Sequence, residues 1–355
     1  MTPDIPALRL ANQQLLGTLC TTPGQLVRHL GAIQAQDVAM SRWAVGVRLG
    51  TSEAIVAGAL DSGAVLRTHV LRPTWHLVAP EDIRWMLALT APHVKRLYLS
   101  TSKLLGMDAA TLTRYNKIIA KTLHKRRFCT RDELMRELKL PGTMPNDLRP
   151  SLVMMHAEQE ALVCSGPMRG KDITYALMDD IVPACAPLAE DEALAMLAHR
   201  YFASHGPATL SDFGWWSGLS VAKCKKALQQ IKHDLMMLPV GQTEYWYADP
   251  VPTAKVKTDV VHLLPAFDEI LISYKDRTPA IETHHQPKAF TRNGIFKPVV
   301  TVNGKVAGTW KRTIKGNNVT IETDLFVPVK KAHKTAIASC VHQFGTYLDK
   351  QAILQ

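Results

Sequence analysis

Gln34 and Gln36 stand two residues apart in the run Gly31-Ala32-Ile33-Gln34-Ala35-Gln36-Asp37. Each amide offers an accepting oxygen and a donating NH2, so the pair can hold and orient a water molecule while staying neutral. They point the same way only on extended backbone, because on a helix they would lie about 200° apart. The competing reading is scaffolding, in which the amides tie loop backbone to helix ends. Three basic sets come next. Arg67, His69, Arg72 and His76 fall on a ribbon, Lys223, Lys225 and Lys226 on a short helix, and Lys305, Lys311 and Arg312 beside an Asn303-Gly304 turn. Each set is either a solvated face or a row of phosphate contacts. His69 opposite His76 lacks a third metal ligand, and His284-His285 falls in a turn-rich loop, so neither metal nor cofactor is expected. Trp215, Trp216 and Trp246 are expected to pack, with stacking on an extruded base as the lesser reading. There is no Gly-rich phosphate loop, H-E-x-x-H or G-x-S-x-G motif.

The elements that would position these groups follow from periodicity. Thr22-Pro23 opens a helix bearing Leu26, Val27, Leu30 and Ile33, and Asp37 caps another, leaving the glutamines in a short joint between them. A first helix is expected over Leu8 to Leu19. Two extended runs, Ala64 to Leu71 and Thr74 to Ala79, flank Arg72-Pro73. A two-residue turn there pairs His69 with His76 and puts Arg67, His69, Thr74 and His76 on one face. The order of helices then hairpin recurs after Asp108, where Thr130-Arg131-Asp132-Glu133 has capping-box form, and again after Pro187. Short helices followed by a ribbon are the order of a winged helix, so three tandem winged helices are expected. From Pro250 the character changes to short strands, among them Glu269 to Tyr274, which suit a small barrel, before a closing helix over Lys330 to Leu354. The resulting α+β division is 1–107, 108–187, 188–250 and 251–355.

The chain has 355 residues, 46% hydrophobic and 21% charged, which suits several packed domains and excludes disorder. No apolar run approaches a membrane span and no leader is visible, so a cytoplasmic, nucleoid-associated protein is expected. Six scattered cysteines with no C-x-x-C pair argue against zinc ribbons and disulfide frameworks. Lys and Arg total 42 against 31 Asp and Glu, a net +11, which favours a polyanionic partner. Physical reasoning stops at a basic DNA-binding protein.

Several segments together resemble the AlkZ family of bacterial winged-helix DNA glycosylases. They are Leu8-Arg9-Leu10 with Gln13, the glutamine run 31–37, Arg67-Thr68-His69, Arg72-Pro73-Thr74-Trp75-His76, His205-Gly206-Pro207-Ala208-Thr209, Trp216-Ser217-Gly218-Leu219, Tyr274-Lys275-Asp276-Arg277, Asn293-Gly294 and Gly308-Thr309-Trp310. They run in family order along nearly the whole chain, departing at Arg72-Pro73-Thr74, where many members have glycine in the middle. The resemblance implies three winged helices and a C-terminal β-barrel in a C shape around a DNA cleft. It also implies catalysis by Gln34 and Gln36 on one side of an extended joint facing that cleft. The implied activity is monofunctional hydrolysis of the N-glycosidic bond of alkylated purines, interstrand crosslinks included, by a monomer acting on double-stranded DNA. The alternative is a non-enzymatic winged-helix regulator or damage-recognition protein.

Overall fold

Among the described residues one arrangement recurs three times: a leading helix, a short strand or bridge, two helices and a hairpin whose second strand pairs back with the bridge. The computed structural model describes residues 4–140, 147–248 and 259–355, so the expected boundary at 250/251 lies outside the described residues. In the first block α1 (Ile5–Asn12) precedes α2 (Pro23–Leu30), β1 (Ile33–Gln34), α3 (Val38–Leu49), α4 (Glu53–Asp61), β2 (Leu66–His69) and β3 (Trp75–Val78). The sheet order is β1-β3-β2, all antiparallel. A long connector, α5 (Pro80–Leu104), leads to the second block. That block holds α6 (Ala109–Arg126), β4 (Cys129–Thr130), α7 (Arg131–Glu137), α8 (Arg149–Gln159), β5 (Val163–Arg169) and β6 (Asp172–Leu177), again with the short strand on the second hairpin strand. After α9 (Met178–Ile181), the third block contains α10 (Glu190–His205), α11 (Leu210–Ser217), α12 (Val221–Ile231), β7 (Met236–Val240) and β8 (Thr243–Tyr247). Its bridge is a single residue, Ala208, paired with Trp246.

The C-terminal part comprises β9 (Val261–Leu264), α13 (Glu269–Ile272), α14 (Gln286–Ala289), β10 (Val299–Val302), β11 (Lys305–Lys315), β12 (Asn318–Leu325), α15 (Lys331–Leu348) and β13 (Gln351–Leu354). The five-stranded sheet curls into a half-barrel because β11 pairs with β10 along its first half and with β12 along its second. The buried clusters cross the blocks. First-block residues such as Leu26, Trp43 and Val45 share one core with Leu263, Trp310 and Phe344 of the C-terminal part. Leu66, Val70, Leu71 and Val78 of the first hairpin pack instead with Tyr201, Phe213 and Trp216 of the third block. Among the described residues, no helix is long and apolar enough to cross a membrane.

Four expectations need correction. The first hairpin pairs His69 with Trp75 and Thr68 with His76, one residue off the expected register, around a five-residue turn. Val70 and Leu71 are fully buried, so the chain dives into the core before turning, and that burial outweighs the two-residue turn suggested by Arg72-Pro73. Residues 269–272 form a helical turn capped by Asp268, whose Oδ1 accepts from the Ile270 N–H at 3.0 Å. The apolar run there is buried on all sides, which periodicity alone cannot distinguish from a strand. The first helix ends at Asn12 rather than Leu19. The last helix stops at Leu348, where Asp349 takes a left-handed conformation, and residues 351–354 become a strand parallel to β12.

Candidate active site

The glutamine joint is the bridge strand of the first block together with the chain that leads from it into α3. Gln34 lies in β1 opposite His76, and the Ala35 N–H continues the ladder onto the Trp75 carbonyl at 2.7 Å. Asp37 remains extended and caps α3 by accepting from the Met40 N–H at 3.0 Å. The backbone is extended at Ile33–Gln34, pairs once more at Ala35, and the chain direction bends at Gln36 and Asp37 on its way into α3.

The two amides differ in environment. Gln36 is exposed, whereas Gln34 is 5% exposed and its Oε1 accepts from Arg72 Nη2 at 2.8 Å. Beneath the joint lies Glu269, fully buried, whose Oε1 accepts from the Gln34 N–H at 2.6 Å and whose other oxygen accepts from the Ser273 hydroxyl. Burial penalises this carboxylate, but His205 at 3.5 Å, the Ser273 hydroxyl and the Gln34 N–H outweigh it and hold Glu269 down at about 2. A fixed negative charge thus sits behind the first glutamine. Gln34, His76 and Thr68 form one row across the sheet. His76 Nδ1 donates to the Thr74 carbonyl, leaving Nε2 buried and without a partner. Burial, reinforced by Arg72, pulls His76 down to about 3, so the ring is neutral and Nε2 is a free acceptor.

The joint is held by a buried polar network. Arg48 of α3 grips Asp268 with both terminal nitrogens, at 2.9 and 3.0 Å, and donates through Nε to the Gln13 carbonyl. Gln13 donates to the Tyr274 hydroxyl, which donates to the His205 carbonyl. Arg9 reaches the Pro207 carbonyl and stacks on Tyr274, and Asn12 reaches the Gly206 carbonyl. Arg9, Gln13, His205-Gly206-Pro207 and Tyr274, far apart in sequence, converge on one scaffold around residues 268–274.

The basic candidates separate. Arg67 (8% exposed), His69 (3%) and His76 (1%) do not form a wet wing face. The shifted register puts Arg67 and His69 on the side of Trp75, where Arg67 donates to the Ala35 carbonyl and stacks on the Trp75 indole at 4.4 Å. His69 is bonded to Glu158 of α8 through both its backbone N–H and its ring, tying the first block to the second. Arg67 and Trp75 also line a cavity of about 250 Å³ with Arg131, Lys171 and Tyr175, on the sheet face opposite to Gln34. Lys223 and Lys226 pair with Glu190 and Asp191, while Lys225 is exposed. Lys305 is exposed and Lys311 pairs with Glu322 at 2.8 Å. Arg312, on the other side of β11, is half-buried against Phe344 and Met40. Among the described residues, Glu282, His284 and His285 bring ligand-type atoms within 4.8 Å of one another, with two of the three exposed.

A model of AlkZ-like DNA glycosylases matches residues 27–347. The chain belongs to the AlkZ-like DNA glycosylase family. Among solved structures, the Streptomyces sahachiroi DNA glycosylase AlkZ superposes with a TM-score of 0.81, covering 100% of both chains at 20% sequence identity. That likeness establishes the fold. No curated protein matches the chain. Glu269 joins the candidate site although its sequence context did not single it out, while Trp215 and Arg277, both already named from the sequence, meet Arg72 around the Trp215 ring. For Glu269 a signal was present, an acidic pair, Asp268-Glu269, set directly before the apolar run from Ile270 to Ile272. The Trp215-Trp216 pair offers none, since only three-dimensional packing tells which of the two is covered.

Proposed function

We propose that this AlkZ-like protein is a monofunctional DNA glycosylase that hydrolyses the N-glycosidic bond of alkylated purines in duplex DNA, with interstrand crosslinks among its substrates. The observation that carries the reading is Gln34 on the bridge strand of the first block, braced from behind by the Glu269 carboxylate, with Gln36 exposed two residues on. An N3- or N7-alkylated purine is cationic and leaves as a neutral base, so no strong proton donor is needed. As the bond breaks, the sugar becomes oxocarbenium-like; a water bonds to C1′ and loses its proton to solvent. The work left to the protein is placing that water and stabilising positive charge on the sugar. Gln36 offers an open amide for the water. Gln34 is held by Glu269 through its backbone and offers its oxygen once Arg72 turns to a phosphate. Glu269 is a positioning residue whose negative charge also favours the cationic sugar.

The recurring blocks are read as three winged helices, within the division 1–107, 108–187, 188–250 and 251–355, that carry a monomer along the phosphate backbone. Lys225 and Lys305 are its outer contacts, Lys311 joins them on leaving Glu322, and Arg312 contributes from the half-buried side of β11. Lys223 and Lys226 join them by exchanging exposed ion pairs, which are worth little in water, for phosphates. Incubating the purified protein with duplex DNA carrying 7-methylguanine tests the activity. Free 7-methylguanine is expected by chromatography, and its absence across a panel of methylated and crosslinked duplexes would refute the reading.

A further inference from the structure

Adjacent tryptophans in α11 have opposite fates. Trp216 is fully buried in the core of the third block, while Trp215 is 41% exposed. The exposed indole is nevertheless fixed, since its Nε1 donates to the Ile272 carbonyl at 2.8 Å. Two guanidinium groups flank it, with their central carbons 5.1 Å (Arg277) and 5.8 Å (Arg72) from the ring centroid. Arg277 is anchored by its Nε on the Leu271 carbonyl at 3.0 Å and lies 5.1 Å from the rings of both Phe290 and Phe296.

Neither arginine has a carboxylate partner among the described residues. Burial above all, with the Arg72 charge second, pulls Arg277 down to about 10. Arg72 Nε is buried with no hydrogen-bond partner. Glu269 offsets part of the Arg72 charge and Asp212 and Asp276 part of the Arg277 charge, but none of them pairs directly with either guanidinium, so an anion that reaches both gains two charge-assisted contacts. The exposed part of the Trp215 indole offers an aromatic surface to any nucleobase, because every base has a π-face. Arg72 links this cluster to the joint, since its Nη2 is bonded to Gln34 Oε1.

We propose that Arg72, Trp215 and Arg277 form a subsite for the nucleotide next to the lesion, in which the indole stacks the base and the two guanidinium groups hold the phosphodiester. The position relative to a lesion rests on the glycosylase reading; the subsite itself requires only DNA. Occupation by phosphate draws Arg72 off Gln34, so filling the subsite frees the amide oxygen that faces the water.

The test is the salt dependence of binding to a fluorescent duplex, undamaged or carrying one 7-methylguanine, with base release measured in parallel. Loss of one phosphate contact flattens the slope of log K against log salt by about 0.9. Arg277→Ala is expected to show that change, and Arg277→Lys to keep the parent slope. Arg277→Gln, which retains a donor toward Leu271, gives the same reading if the alanine variant does not fold. Trp215→Ala is expected to weaken binding by about tenfold or more with the slope unchanged, and Trp215→Phe to restore most of it. Parent slope in both Arg277→Ala and Arg277→Gln, or parent affinity in Trp215→Ala, overturns the proposal. Altered slopes without base release support the subsite and contradict the glycosylase; base release with unaltered slopes does the reverse.

Discussion

The first and third blocks share one topology and use its bridge differently. In the third, Ala208 pairs with Trp246 and the next residue, Thr209, already caps α11 in a reciprocal box with Asp212. The second block does the same with Thr130 and Glu133. In the first, Ala35 and Gln36 intervene between β1 and the cap Asp37, and Asp37 caps without a reciprocal partner. Two extra residues turn a sealed junction into a longer joint with one amide exposed and one braced by Glu269. The hairpin turns differ in parallel. Those at Gly170 and Gly241 stand in open space, whereas the first turn is folded inward against Gly218 of the third block. The candidate site thus lies where the repeat is least regular and most tightly held by the rest of the chain.

The largest expected effect tests that hold. Asp268→Ala strands the buried Arg48 charge and should cost about 3–5 kcal/mol of unfolding free energy in urea. Removing an exposed partner such as Glu190 from Lys223 should cost less than about 1 kcal/mol. Equal losses would mean the first block is bound to the C-terminal part no more firmly than any surface pair.

Next come the glycines. At Gly218, φ is +70° and an added Cβ would meet the Leu71 carbonyl oxygen at 2.5 Å; at Gly241, φ is +58° with nothing within 4 Å. Gly218→Ala should cost about 3 kcal/mol and Gly241→Ala about 1 kcal/mol by denaturation, the excess being the collision with the buried turn.

Acid offers a third comparison. His76 titrates near 3 in the folded chain against 6.5 for a free imidazole. Between those values the unfolded chain binds the extra proton, so the contribution is complete above pH 6.5 and is lost as pH falls toward 3. The depressed Glu269 adds a loss from about 4.5 down to about 2. His76→Asn should reduce the fall in stability between pH 6 and pH 5 by about 1 kcal/mol relative to the parent. An unchanged pH dependence would mean that the ring does not reach its buried, neutral state.

Smallest are the caps. Thr130→Ala and Thr209→Ala should each cost about 1 kcal/mol and leave base release unchanged, since those bridges only seal helices. Loss of release on cutting either cap would erase the distinction between the blocks.

Much of this was legible from residue type and spacing. Caps at Thr22, Asp37 and Thr130, proline at the start of α2 and alternating apolar runs located most helices and hairpins. The glutamine spacing called for extended backbone; Gln34 lies on a strand, while the chain bends at Gln36. Register was not legible at the first hairpin, because burial of Val70 and Leu71 is decided by the third block, over a hundred residues away. The shift carried Arg67, His69 and His76 from an expected wet face to the interior. Glu269 was read within a strand because its helical turn depends on the Asp268 cap and on Arg48 from another block. Long-range partners of this kind leave no periodic trace.

The central claim is that the longer joint of the first block performs the reaction and the corresponding bridges do not. The most direct measurement is the single-turnover rate of 7-methylguanine release at saturating protein, for the parent and for Gln34→Ala/Gln36→Ala. A fall of about 10²-fold or more with duplex affinity within a few-fold of the parent is the expected result. A rate within twofold of the parent would contradict the account and return the two glutamines to scaffolding.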